Sequence, residues 1–135
     1  MECPINILIV DDIPVMRSLL KKILRESGYG NVTEAANGEI ALEKFKLQTY
    51  SMVMLDINMP IKDGVTVLKE IREIDPDVFV VMVSADSTVD NIKSTLALGV
   101  NGFIVKPYSA AKISGIIQKF NTHLQKQGIT PAHPC

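Results

Sequence analysis

The sequence predicts an α/β protein, a doubly wound five-stranded parallel sheet flanked by five helices on its two faces. Two observations carry this reading. Five short apolar runs alternate along the chain with amphipathic helical patterns, and strict β-α alternation implies a parallel sheet. The runs are nearly continuous in apolar residues instead of alternating with polar ones, as expected of strands covered on both faces. Right-handed crossovers then make the doubly wound arrangement the natural topology.

The elements follow in order. Ile5-Asn6-Ile7-Leu8-Ile9-Val10 is the first strand. Pro14 suits the first turn of a helix, and Val15, Met16, Leu19, Leu20, Ile23 and Leu24 recur at helical spacing up to a stop at Gly28. Val32 to Ala36 is a second strand, and Asn37-Gly38 opens a helix carrying Ile40, Ala41, Leu42, Phe45 and Leu47. Met52 to Asp56 is the third strand. Asp63 suits the N-cap of a helix with Val67, Leu68 and Ile71, which Asp75-Pro76 breaks. Val78 to Val83, the most β-prone run, is a central strand. Ser87 and Asp90 resemble a capping box for a fourth helix with Val89, Ile92 and Leu96, ending at Gly99. Gly102 to Val105 is the fifth strand. Ser109 caps a fifth helix with Ile113, Ile116, Ile117, Phe120 and Leu124. The expected division is one domain over 1–124 and a polar tail over 125–135 that frays.

Composition narrows the function classes. With 135 residues, 47% hydrophobic and 21% charged, the chain fits a globular protein with its own core. No apolar run approaches the roughly 20 residues of a membrane span, and MECPINILIV lacks a basic segment before its apolar run, so no signal peptide is expected and the cytoplasm is the default. Cys3 and Cys135 lie near opposite ends, without disulfide or metal-site spacing. The formal net charge of -1 and the lack of a basic stripe argue against direct nucleic-acid binding. Met52, Met54, Met59 and Met82 read as packing residues, and His123 and His133 as surface residues.

In doubly wound sheets, ligands bind outside the carboxyl ends of the strands. The first strand exits into Asp11-Asp12, the third at Asp56, the fourth into Ser84-Ala85 and the fifth into Lys106-Pro107. Alone, each is ordinary: acids at a helix entry, a turn-starting Asp, a turn hydroxyl, a solvated lysine. Together, three carboxylates, a hydroxyl and an ammonium share one edge. Carboxylates about 4 Å apart repel by roughly 1 kcal/mol in water and about 4 at an effective dielectric of 20. A raised pKa or a bound cation must compensate. Oxygen-only ligands suit a hard divalent ion such as Mg2+, and a carboxylate beside such an ion is a usable nucleophile toward phosphorus.

Asp11-Asp12, Asp56 with Asn58-Met59-Pro60 and Gly64, Ser84-Ala85 and Lys106-Pro107 resemble the receiver domain of bacterial two-component response regulators. Met16-Arg17, Asn58-Met59-Pro60 and Lys106-Pro107-Tyr108-Ser109-Ala110-Ala111 are most similar to the stand-alone chemotaxis-type receivers. The resemblance implies the flavodoxin-like strand order 2-1-3-4-5, for which a protein of this family is a standing example. It implies that Asp56 accepts phosphate from a sensor histidine kinase. Asp12, Asp56 and the Asn58 main-chain carbonyl would ligate Mg2+, with Mn2+ as a substitute and Asp11 acting through a metal-bound water. Ser84 and Phe103 would form the switch pair, and Lys106 would pair with the phosphoryl group. Ala85 and Pro107 would support the phosphate loops, the bond before Pro107 being cis. Asn58 and Asp86 would tune phosphate lifetime by flanking the path of the hydrolytic water.

The resemblance thus implies a phosphorylation switch, not a turnover enzyme. Aspartate-nucleophile phosphatases use D-x-D, whose second acid protonates the leaving group; that position is Asn58 here. No G-x-G-x-x-G or Walker lysine follows the first strand. Eleven residues after 124 are too few for an output domain, so a separate downstream protein is expected to read the signal on the face formed by the fourth helix, fifth strand and fifth helix. A phosphorelay intermediate, passing phosphate to a histidine phosphotransfer protein, is the alternative. Lys21, Lys22 and Arg25 mark a solvated face of the first helix or a kinase-docking one. A monomer is expected.

Overall fold

The computed structural model describes residues 5–57, 59, 62, 64–84, 93, 96–106 and 109–127. The five apolar runs are strands: β1 (Ile7–Val10), β2 (Val32–Ala35), β3 (Met52–Asp56), β4 (Phe79–Ser84) and β5 (Gly102–Val105). They form one parallel sheet in the order β2-β1-β3-β4-β5. Among the described residues the helices with defined bounds are α1 (Pro14–Glu26), α2 (Gly38–Leu47), α3 (Gly64–Ile74) and a C-terminal helix (Ala110–Lys126). The expected fourth helix, with its Ser87–Asp90 cap, falls almost wholly outside the described residues, as do Asp63 and the tail from 128.

Period-two geometry sends alternate strand residues to opposite faces, and both faces are apolar here. On one, Ile7, Ile9, Met52, Met54 and Val81 pack against α1 and the C-terminal helix; on the other, Leu8, Val53, Leu55, Val80 and Met82 pack against α2 and α3. The three strand methionines, Met52, Met54 and Met82, are buried in these clusters, as expected.

Caps and stops behave as the residue types dictate. Asn37 accepts from the Ile40 N–H at 2.9 Å and starts α2. Ser109 accepts from the Lys112 N–H at 3.2 Å and starts the C-terminal helix. Gly28 ends α1 with φ 97°, and Gly99 has φ 82°, the left-handed region where glycine escapes the Cβ clash.

Several expectations need correction. The first strand is two residues shorter at its start, the second loses Ala36, and the fourth runs 79–84 instead of 78–83. The last helix continues two residues past 124, to Lys126. The buried face of α1 is narrower than its apolar stripe: Leu20 and Leu24 are buried, but Val15 and Leu19 are exposed. Leu47 and Leu96 also face solvent instead of the core. His123 is not a free surface residue. It is half-buried, its ring edge-on to Phe79 with centroids 5.3 Å apart, because the last helix lays this position over the start of β4.

Arg72, in the last turn of α3, ties three segments together. Its guanidinium donates to the carbonyls of Pro76 (3.2 Å), Val78 (2.6 Å) and Gly99 (2.7 Å) and to Asn101 Oδ1 (3.0 Å). Burial lowers its pKa, against the opposing charges of Asp75 and Asp77.

Candidate functional site

The site is assembled by sheet register. Val10 pairs with Leu55, so the next residues, Asp11 and Asp56, come level. Asp56 pairs with Val83, and Ser84 with Val105, so Ser84 and then Lys106 lie further along the same edge. Lys106 begins beyond the level of the acids, and its long side chain reaches back to them.

The turn after β1 is shaped by its own acid. Asp11 Oδ1 accepts from the Ile13 N–H at 2.9 Å, an Asx-type bond that fixes the entry to α1. The Asp11 N–H donates to the Ala35 carbonyl (3.1 Å), and its carbonyl accepts from Arg17 Nη1 at 2.6 Å. After β3, the Ile57 N–H donates to the Val83 carbonyl and the Gly64 N–H to the Ile57 carbonyl, both at 2.9 Å. Gly64 is needed there, because a Cβ would run into the Asp56 carbonyl and the Ile57 Cα.

Carboxylate oxygens of Asp11, Asp12 and Asp56 all lie within 4.8 Å of one another. Asp11 and Asp56 are buried and Asp12 is exposed. Lys106 Nζ bridges the buried pair, 3.0 Å from Asp56 Oδ2 and 3.1 Å from Asp11 Oδ2. Desolvation alone would lower the Lys106 pKa; the hydrogen bonds and charges of Asp56 and Asp11 outweigh it and raise the pKa above the ordinary lysine value. One ammonium cannot neutralise three carboxylates, so the pocket keeps an excess of negative charge. Its donor set is all oxygen, and opposite ligands of an octahedral Mg2+ sit about 4 Å apart. The spacing and the exposed Asp12 side, open to the waters that Mg2+ retains, fit such an ion.

Asp11, Asp12, Asp56 and Lys106 are therefore brought together. Ser84 is fully buried at the end of β4, and its carbonyl accepts from the Lys106 N–H at 2.8 Å. Phe103 is half-buried on β5 and packs against the cluster under α2 and α3. Asn58, Ala85, Asp86 and Pro107 lie outside the described residues. The sequence reading missed the roles of Arg17 and Arg72. Both act on main-chain carbonyls, which every residue possesses, so no residue pattern announces them.

Comparison with known proteins identifies the family and the fold. The sequence profile of the response regulator receiver domain matches residues 7–118. The Chemotaxis protein CheY of Bacillus subtilis is 42% identical over 114 residues, covering 84% of this chain and 95% of the relative. Among solved structures, a CheX–CheY–BeF3–Mg2+ complex from Borrelia burgdorferi matches with TM-score 0.79 and 36% identity over 88% of each chain. The response regulator TrrA of Thermotoga maritima, in complex with Mg2+–BeF, matches with TM-score 0.77 and 36% identity over 86% of this chain and 98% of that one.

Proposed function

The chain belongs to the response regulator receiver domain family and is a two-component signalling protein of the CheY type, and from that premise we propose that Asp56 is its phosphoacceptor. The observation that carries this is the Lys106 ammonium set 3.0 Å from Asp56 Oδ2 at the exit of β3, inside a three-carboxylate pocket.

The donor is the phosphohistidine of a sensor kinase. An Asp56 carboxylate oxygen attacks phosphorus, an O–P bond forms, and the P–N bond breaks with its electron pair leaving on the imidazole. Asp12, Asp56 and the Asn58 main-chain carbonyl would hold Mg2+, or Mn2+ in its place, with Asp11 acting through a water. When bound, the ion supplies charge neutralisation for the incoming phosphoryl group. Lys106 changes partners, from the carboxylate oxygen of Asp56 to a phosphoryl oxygen. The Ser84 hydroxyl donates to another, and Phe103 turns inward behind it. Asn58 and Asp86 set how fast water removes the phosphate.

The output is binding to a separate protein by a monomeric, cytoplasmic switch. Phosphate biases a two-state equilibrium by its differential contacts, and reversal from 1:99 to 99:1 needs about 5.5 kcal/mol. The reading surface is the face around β5 and the C-terminal helix. A groove of about 410 Å³ lies there, lined by Phe103, Val105, Ala111, Gly115 and Ile116 and flanked by Lys112 and Lys119. Among the described residues no helix is long and apolar enough to cross a membrane.

The test is treatment with a small-molecule phosphodonor and Mg2+, read by intact mass. One added phosphate in wild type and none in Asp56→Ala is the expected result. Retention of the phosphate in Asp56→Ala would place the acceptor elsewhere.

A further inference from the structure

The geometry points to Arg17 as a positioning residue: braced by Glu34 on the edge strand, its guanidinium holds the backbone of the Asp11–Asp12 turn and so tightens the acidic pocket's grip on a divalent cation. This rests on the metal-binding reading above and adds a residue to it that touches no metal.

Arg17 sits in the first turns of α1, and its side chain is 16% exposed. Nη1 donates to the Asp11 carbonyl oxygen at 2.6 Å, the short length of a charge-assisted bond. Nε lies 3.3 Å from Glu34 Oε1. Glu34 is itself held in place. It stands on β2 in register with Ile9 of β1. Its other carboxylate oxygen is 3.6 Å from Lys21 Nζ, and its carbonyl accepts from Lys44 Nζ at 2.5 Å. A continuous brace therefore runs from α2, through the edge strand, to the turn that presents Asp11 and Asp12. The rigid planar fork of arginine suits the role, since it reaches a carbonyl and a carboxylate at once.

Charge and position make opposite demands at this residue. A guanidinium beside the pocket repels an incoming cation, so removing it should tighten Mg2+ binding if only electrostatics mattered. If Arg17 acts by fixing the acid turn, removing it weakens binding. Partners that orient metal ligands from behind are typically worth 10- to 100-fold in metal affinity.

The experiment titrates the full chain with Mg2+ alone in a calorimeter at fixed ionic strength, and checks folding of each variant by urea denaturation in EDTA. Arg17→Ala is expected to weaken Mg2+ binding by about 10-fold. Arg17→Lys keeps the charge but not the fork, and is expected to lose several-fold; it carries the test by itself if Arg17→Ala does not fold. Lys22→Ala removes a charge from the exposed side of the same helix, outside the brace, and is expected to leave binding unchanged or slightly tighter. Equal or tighter binding in both Arg17 variants overturns the proposal. Failure of the underlying reading looks different: wild type itself then binds no Mg2+, or Asp56→Asn binds it as well as wild type.

Discussion

Replacing Lys106 by Met removes the cation between two buried carboxylates, and the consequences can be sized. Asp11 and Asp56 are 1% and 3% exposed, and Lys106 Nζ lies 3.1 and 3.0 Å from them. Without it, carboxylates within 4.8 Å of each other repel by about 3.5 kcal/mol at an effective dielectric of 20. Breaking a buried ion pair by deleting one partner costs roughly 3–5 kcal/mol. Because the lysine is partly exposed, the lower end applies, and Lys106→Met should lose about 3 kcal/mol in EDTA. With a urea slope of about 1–3 kcal/mol/M, the midpoint falls by roughly 1 M or more. Mg2+ should then stabilise the variant more than it stabilises wild type. The ion no longer competes with an ammonium for the same oxygens, and any gain in affinity appears as folding stability. The assay is urea denaturation followed by circular dichroism, in EDTA and in saturating Mg2+ at matched ionic strength. An unchanged midpoint in EDTA, or the same Mg2+-induced lift in both proteins, would show that Lys106 is not the internal counter-ion of the pocket.

Two further outcomes test the scaffold. Arg72→Ala leaves the carbonyls of Val78 and Gly99 without their guanidinium donor, so stability should fall by about 2 kcal/mol, the scale of charged hydrogen bonds; a urea midpoint within error of wild type would remove Arg72 as a structural tie. Gly115 lies inside the C-terminal helix, with open space where a Cβ would go, so Gly115→Ala should gain about 0.5–1 kcal/mol; a lower thermal midpoint would contradict this.

The bridging lysine also gives the proposed switch its local logic. While Asp56 is a carboxylate, Lys106 is shared with Asp11 across two strands. In the proposed phosphorylated state the new dianionic group competes for it, adding about -1.5 to -2 charges at neutral pH if it behaves as ordinary phospho-residues do. Lys106 begins directly after β5, and its N–H is bonded to the Ser84 carbonyl. A shift of its side chain therefore bears on the ends of β4 and β5 together, next to Phe103. The base of the same segment is held by Arg72 on Gly99 and Asn101, which favours movement at the acid edge over movement at the opposite end.

What the sequence determined by itself was local. Apolar runs covered on both faces, helix caps at Asn37 and Ser109, and a stop at Gly28 follow from short-range sterics and hydrogen bonding. Strict alternation then places every strand exit on one edge, which is why Asp11, Asp12, Asp56, Ser84 and Lys106 form one group in the sequence alone. Tertiary structure decided the rest. Helical spacing marks an apolar stripe but not how much of it a neighbour covers, so Val15, Leu19 and Leu47 belong to the apolar pattern of their helices and yet lie in solvent. His123 is half-buried because β4 begins beneath it. Register decided that one ammonium would reach both Asp11 and Asp56 instead of one of them. Arg17 and Arg72 found backbone carbonyls brought near by the fold, and a side chain's own letter does not encode which carbonyl that will be.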